Sequence, residues 1–271
     1  MKKGFTLVEL SIVLVIIGLL IGGILIGQSL ISASKVSAFV SQIQQFDSAV
    51  NSFKTKYKQL PGDAKVLSSL ADNDGLIEDG LINCCGYTFT TVQSGENDNF
   101  WAHLQISGFK IKGINSQLPI SSTWASGNAV IVSGANQNAP KMPLGVNTGV
   151  VAYTITNASV AGSAPFGSGT VISAQETQKG NYYFIADFTA TFDATLSNAG
   201  NAMRRWADSI PVEQAQAIDS KIDDGKPNSG SIFNASYYTS PCWPSSGTTS
   251  SGRYNVTGTG SCALLIRMPD K

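Results

Sequence analysis

The sequence predicts an α+β protein in which a long N-terminal α-helix packs on a head built around an antiparallel β-sheet. Three observations predict this fold class. An uncharged run follows Glu9, an amphipathic helical pattern continues from it without a break, and short strand-like runs separated by Gly, Ser and Asn fill the rest. The chain has 271 residues, which allows one large domain or two small ones after the helix.

The first part of the helix has the length of a membrane span. The uncharged run from Leu10 to Ser34 is 25 residues long and would rise about 38 Å as an α-helix, enough to cross a bilayer. It is too long for an ordinary secretory signal, and no small-x-small cleavage site closes it. Because Lys2 and Lys3 precede the run, the positive-inside rule places the N-terminus in the cytoplasm and residues 35–271 outside.

The second part of the helix is amphipathic. Its apolar residues recur in alternating steps of three and four, at Val36, Phe39, Ile43, Phe46, Val50, Phe53 and Tyr57. The sequence LPGD at residues 60–63 then stops the helix, because proline lacks an amide donor and glycine permits a turn. We therefore predict one helix over residues 5–60, with a transmembrane part at 5–34, an amphipathic part at 35–60 and a head at 61–271.

The head is predicted from shorter signals. Candidate strands cover 129–133, 149–156, 170–174, 181–191 and 262–268. Two further helices are predicted at 97–107 and 211–222, the second with Ser209 near its cap. The apolar face of the first comprises Phe100, Trp101, Leu104 and Ile106. His103 lies beside this face, so we interpret it as a structural histidine.

Composition excludes some functions. Charged residues make up 13% of the chain, against about a quarter in typical soluble domains. The 18 basic and 18 acidic residues cancel, so no overall field attracts nucleic acid, and nucleic-acid binding is not indicated. A membrane-tethered enzyme is the least supported class, because the chain has one histidine and no nucleophile or phosphate-loop motif.

Glu9 is the residue that the membrane interpretation leaves unexplained. An ionisable side chain in such a segment is costly and is usually kept for a specific partner. The stretch KKGFTLVE at residues 2–9, followed at once by the apolar helix, resembles the class III leader and N-terminus of type IV pilins and type II secretion pseudopilins. The motif is specific, but it covers only about the first thirty residues.

The resemblance implies a processing step and a role for Glu9. Residues 1–4 would be a leader peptide that a prepilin peptidase removes between Gly4 and Phe5. Phe5 would then be the methylated N-terminus, and Glu9 would pair with the Phe5 amine of a neighbouring subunit. That pairing would offset the cost of burying both charges. The alternative is that Glu9 reaches the cytoplasmic headgroups.

The resemblance also implies a function. It is that of a structural subunit of a type IV pilus or type II secretion fibre, inserted once in the bacterial inner membrane with its head in the periplasm and then drawn into the fibre. Its implied partners are prepilin peptidase, other pilin or pseudopilin subunits and the inner-membrane assembly platform. The chain is long for a major pilin and lacks the mid-helix proline that many major pilins carry, which favours a minor pilin or a pseudopilin.

A fibre-tip adhesin is the alternative function. It would require an exposed aromatic surface, for which Tyr237, Tyr238 and Trp243 are the candidates.

No cofactor is required by any motif, but one acidic loop suits a metal. The loop at residues 72–80 offers oxygen ligands around glycine turns, as Ca²⁺ prefers, although it lacks the EF-hand spacing. Its candidate ligands are Asp72, Asp74, Glu78 and Asp79. Asp and Asn beside glycine also form ordinary turns, so both interpretations stay open. A second acidic loop at 219–225 is more simply the end of a helix.

The four cysteines suit an exported domain. Cys242 and Cys262 bracket a loop whose closure would stabilise the fold by about 3 kcal/mol, and the pilin resemblance implies a C-terminal disulfide of this kind. Cys84 and Cys85 are adjacent, with Cα atoms about 3.8 Å apart, below the usual disulfide separation. Four cysteines allow three connectivities, and the sequence does not choose among them.

Overall fold

The structure, a computed structural model, describes residues 6–68, 71–77, 96–111, 140–145, 148–155, 180–187, 208–235, 242, 253–257 and 259–269. It confirms the α+β class and the long N-terminal helix. Helix α1 spans Leu7–Tyr57, and its 51 residues correspond to about 77 Å. It ends three residues before the predicted end, because Lys58 adopts a left-handed conformation with φ 58° and closes the last turn on Lys54.

The two parts of α1 have opposite environments. The predicted stripe is confirmed from Val36 to Phe53, and its last residue, Tyr57, is half-buried against the same core. The α1 side chains that the head buries are Val36, Phe39, Ile43, Phe46, Ala49, Val50 and Phe53. Before Val36, every Leu, Ile and Val side chain from Leu7 to Ile31 is at least 46% exposed. The amphipathic part therefore holds the head, and the apolar part projects from it.

The head contains a five-stranded sheet with all described pairs antiparallel, in the order β1-β2-β7-β5-β4. Its strands are β1 (Thr148–Ile155), β2 (Gly180–Asp187), β4 (Asn228–Ser229), β5 (Ile232–Asn234) and β7 (Leu264–Arg267). A separate two-stranded sheet pairs β3 (Ile210–Pro211) with β6 (Ser261–Cys262).

Side chains alternate between the two faces of the large sheet, as the two-residue period of a strand requires. Tyr183 and Ile185 of β2 face the main core together with the buried stripe of α1. Tyr182 and Phe184 face the opposite side, where they form a smaller cluster with Phe233. The sheet therefore has a buried layer on each side, and α1 contributes to one of them.

Two shorter helices complete the described head. Helix α2 spans Glu96–Ile106 and α3 spans Val212–Ile222. The predicted α2 face is confirmed for Phe100, Trp101 and Leu104, which are buried, but wrong for Ile106, which is 44% exposed. The prediction of Ser209 as a cap is also wrong: Pro211 is the N-cap of α3 without a side-chain bond, and the Ser209 hydroxyl instead accepts a hydrogen bond from Thr148.

The strands of the head differ from the predicted ones in two respects. The run 262–268 is two strands, because the chain passes from the small sheet to the large one at Ala263. Strands β4 and β5 were not predicted, although Gly230 at φ 80° marks the turn that joins them. The candidate strands 129–133 and 170–174 lie outside the described residues.

Candidate functional site

The start of α1 is organised around Glu9. The Glu9 amide donates to the Thr6 hydroxyl oxygen at 3.3 Å, while Glu9 Oε2 accepts from the Thr6 amide at 2.8 Å and from the Thr6 hydroxyl at 2.9 Å. This reciprocal pair is a capping box, which satisfies amide donors that the first turn of a helix otherwise leaves free. None of the described residues donates a hydrogen bond to the other carboxylate oxygen, Oε1, and the Glu9 residue is exposed. Glu9 is therefore held in place by one oxygen and can bind a cation with the other.

The surface around this carboxylate is apolar and unpacked. Within the described part of the chain, a Cβ atom added to Gly18, Gly22, Gly23 or Gly27 would meet nothing within 4 Å. Of the described helices, α1 is the one long and apolar enough to cross a membrane, judged by length and composition. Glycines at this spacing allow helices to approach closely, so this surface suits both lipid and packing against other helices.

A comparison with known families agrees with this geometry. A family model described as the prokaryotic N-terminal methylation motif matches residues 1–25. The match concerns the N-terminal segment alone, which carries a motif typical of type IV pilins and pseudopilins. Such a leader implies processing by a prepilin peptidase and assembly with other pilin subunits, and the long apolar helix fits a pilin anchored in the inner membrane. No curated protein and no solved structure matches the chain.

The pilin-type segment contains the sequence-predicted residues Gly4, Phe5 and Glu9. The structure describes Glu9, whereas Gly4 and Phe5 lie outside the described residues. The same is true of Tyr237, Tyr238 and Trp243, the aromatic residues that would form the exposed surface of a tip adhesin. The sequence did not single out Thr6 as the partner of Glu9, although the spacing T-x-x-E is a recognisable capping-box signal.

The predicted metal loop lies beside a third carboxylate, Asp63, which is not among the predicted ligands. Asp72 and Asp74 lie with Asp63, each offering an oxygen within 4.8 Å of the others. Glu78 and Asp79 lie outside the described residues. Asp63 is fully buried, and burial raises its pKa although the amides of Gly75 and Asn73 donate to its two oxygens. The sequence signal for Asp63 as an additional ligand was its position directly after the Pro-Gly sequence that ends the helix.

The carboxylates of this loop have backbone partners. Asp72 accepts from the Asp74 amide at 3.1 Å, and Asp74 accepts from the Leu76 amide at 2.8 Å. These are Asx turns, the structural alternative to a metal site. Calcium binding by this loop stays a prediction.

His103, a residue of α2, contacts both the turn that follows α1 and α1 itself. Its Nδ1 accepts a hydrogen bond from the Gly62 amide at 2.9 Å, and its ring lies parallel to Phe53 with centroids 6.2 Å apart. Gly62 has φ 89°, and a Cβ there would lie 2.6 Å from the Glu96 carbonyl oxygen, so only glycine fits. Burial lowers the pKa of His103 to about 4. The ring is therefore neutral at neutral pH and serves as an acceptor.

The second acidic loop surrounds the end of α3. Asp219 is fully buried; its Oδ2 accepts from the Tyr254 hydroxyl at 2.8 Å and its Oδ1 from the Gly225 amide at 3.0 Å. Burial is the main cause that raises the pKa of Asp219 to about 7, and the nearby Asp223 and Asp224 add to it. Asp223 accepts from the amides of the β4–β5 turn, so this carboxylate organises the hairpin after the helix.

Cys242 and Cys262 form a disulfide in the structure, with Cα atoms 5.6 Å apart. Both are fully buried, and Cys262 also belongs to β6, which pairs with the strand that leads into α3. We expect peptide mapping without reduction to recover Cys242 linked to Cys262, and reduction to lower the free energy of unfolding by about 3 kcal/mol. Recovery of either cysteine joined to Cys84 or Cys85, or of both as free thiols, would contradict this pairing.

Proposed function

We propose that the protein is a structural subunit, a minor pilin or pseudopilin, of a type IV pilus or type II secretion fibre, and not an enzyme. One observation carries the proposal: a lone carboxylate, Glu9, lies in the first turn of a helix that is otherwise uncharged, mostly apolar and exposed as far as Ile31. A passive membrane anchor would gain the helix cap from Glu9, but a capping box can also be made with an uncharged glutamine at this position. A subunit that must dock in one register on other helices would gain from the charge itself.

The assembly step follows from charge pairing. Cleavage after Gly4 would leave a positive amine on Phe5, and bundling of the apolar helices would remove both this amine and Glu9 from water. Two such charges are tolerable together, whereas leaving either unpaired costs several kcal/mol. Glu9 keeps one exposed oxygen while Thr6 holds the other, which suits an intermolecular partner. Docking in the wrong register would lack this pair.

The location follows from the same segment. The helix would cross the inner membrane once, with the N-terminus in the cytoplasm and the head in the periplasm, because the lysines at positions 2 and 3 precede the span. The inner-membrane assembly platform would then draw the subunit into the fibre. The chain length and the absence of proline from α1 support a minor pilin or pseudopilin over a major pilin.

Processing gives the first test. We expect mass spectrometry of the mature protein from membranes to show loss of residues 1–4 and a methyl group on the Phe5 amine. A bulky residue at position 4 should block cleavage, whereas Gly4→Ala should slow it only modestly. An intact Met1 in mature membranes would refute the pilin interpretation.

A further inference from the structure

The base of the head is tied directly to the end of the apolar part of α1. Gln214 Nε2 donates to the Ser32 hydroxyl at 3.3 Å, and Lys221 Nζ donates to the Ser37 hydroxyl at 2.8 Å. Because the later residue of α3 meets the later residue of α1, the two helices run in the same direction. The first turn of α3 is therefore the part of that helix nearest to the membrane-spanning segment.

The length of the exposed apolar surface fixes the height of that first turn. Residues 7–31 are 25 helical residues and rise about 37 Å. A bilayer has a hydrocarbon core of about 30 Å and headgroup layers that bring the total to about 40–45 Å. A helix that starts at one interface therefore reaches the opposite headgroup layer close to Ser32, where contact with the head begins.

In the part of the chain that the structure describes, the head begins directly at this level. Ser32 is half-buried and Val36 is 3% exposed, so the head covers α1 within one turn of the last exposed apolar side chain. The segment before α3 is also fixed, since Ile210 and Pro211 pair with Ser261 and Cys262 in the small sheet. The described part of the head is therefore attached at this level through α1 itself and not through a linker.

We propose that, in the unassembled subunit, the base of the head, defined as residues 211–214, lies against the phospholipid headgroups of the outer leaflet. This inference rests on the proposed membrane insertion of α1. Charges of both signs lie at this level, with Glu213 exposed on α3 and Lys35 exposed on α1. The contact therefore comes from position and not from attraction to anionic lipid, and it persists at high salt, where exposed charges are screened.

The test is fluorescence quenching by spin-labelled lipid. The full-length processed protein, carrying one fluorescent unnatural amino acid, is reconstituted into phosphatidylcholine vesicles that contain a nitroxide either on the headgroup or in mid-chain. The probe replaces Glu213 at the base, Ile21 in the middle of the span, or Val66 beyond the far end of α1. All three side chains are exposed, so the probe does not disturb packing.

We expect the headgroup nitroxide to quench the probe at 213 strongly and the probe at 66 at background level, in low and high salt alike. The mid-chain nitroxide should quench the probe at 21. Equal, background quenching at 213 and 66 with strong quenching at 21 would overturn this inference and leave the proposed function intact. Loss of quenching at 21 would show that α1 is outside the bilayer and would overturn both. Quenching at 213 that appears only at low salt would show an electrostatic contact and would overturn the positional account.

Discussion

Replacing Glu9 by Ala is expected to remove most of the subunit from sheared fibres while leaving membrane insertion and cleavage after Gly4 intact. In the proposed pairing, the substitution would leave the amine of a neighbouring Phe5 without its counter-charge inside a helical bundle. A broken buried pair costs about 3 kcal/mol or more, which is about a hundredfold in the docking equilibrium. The measurement is the amount of wild type and variant in sheared or cross-linked fibres, relative to the processed pool in the membrane.

A matched pair of variants separates the charge of Glu9 from its capping role. Glutamine is also found at this position of capping boxes, so Glu9→Gln can keep the bond from the Thr6 amide while removing the charge. Thr6→Ala keeps the charge and removes the capping hydroxyl, at a cost of about 1 kcal/mol to the helix end. We expect Glu9→Gln to assemble almost as poorly as Glu9→Ala, and Thr6→Ala to assemble much better than either.

Unchanged incorporation of Glu9→Ala would falsify the pairing within the fibre shaft. A subunit at the tip has no neighbour ahead of it, so that result would favour the tip-adhesin alternative. A variant that is neither inserted nor cleaved would instead place the role of Glu9 before assembly and would equally contradict the proposal.

The long helix could be predicted from sequence because its signals are local. The alternation of steps from Val36 to Tyr57 is a property of neighbouring residues, and the structure buries this stripe as far as Phe53 and half-buries Tyr57. The end of the helix was missed by three residues, because the left-handed conformation of Lys58 has no marker such as glycine at that position. The capping role of Thr6 is equally local, since the spacing T-x-x-E is a capping-box signal within four residues.

The polar contacts of the head could not be predicted, because they join residues far apart in the chain. His103 and Gly62 are separated by 41 positions, and Gln214 and Ser32 by 182. No periodicity links such pairs; the packing of α2 and α3 on α1 does. The split of 262–268 has the same origin, since two different partner strands divide a continuous apolar run at Ala263.

The second large effect is expected in the pH dependence of head stability, where two buried groups act in opposite directions. His103 has a folded pKa of about 4 against 6.5 for a free histidine. Between these values the unfolded chain binds a proton that the folded head does not, so His103 lowers stability as the pH falls from 6.5 to 4. The full pKa shift of His103 corresponds to about 3 kcal/mol of unfolding free energy.

Asp219 contributes with the opposite sign. Its folded pKa is about 7 against 3.8 for a free aspartic acid. In this window the folded head retains a proton that the unfolded chain has released, so Asp219 lowers stability as the pH rises from about 4 to 7. The pKa shift of Asp219 corresponds to about 4 kcal/mol of unfolding free energy. Between pH 4 and 6.5 the two contributions largely cancel, so the wild-type profile alone tests neither.

Two variants, each with a side chain that does not titrate, separate these contributions. For His103→Asn, we expect the difference in unfolding free energy, variant minus wild type, to increase as the pH falls from 6.5 to 4. The reason is that the wild-type histidine must lose a proton to fold in this range, whereas asparagine does not titrate. For Asp219→Asn, the same difference should increase as the pH rises from 4 to 7. Each slope approaches about 1.4 kcal/mol per pH unit within its window. Other carboxylates titrate alike in all three proteins and drop out of the differences.

The measurement is guanidinium unfolding of the full-length processed protein in detergent, followed by near-ultraviolet circular dichroism at each pH. A constant offset between variant and wild type reports only the lost hydrogen bonds, from the Gly62 amide to His103 or from the Tyr254 hydroxyl to Asp219. The slope reports the titration. Profiles that stay parallel to wild type for His103→Asn would show that the His103 ring is protonated as easily in the folded head as in the unfolded chain, contrary to its complete burial against Phe53 and the turn at Gly62.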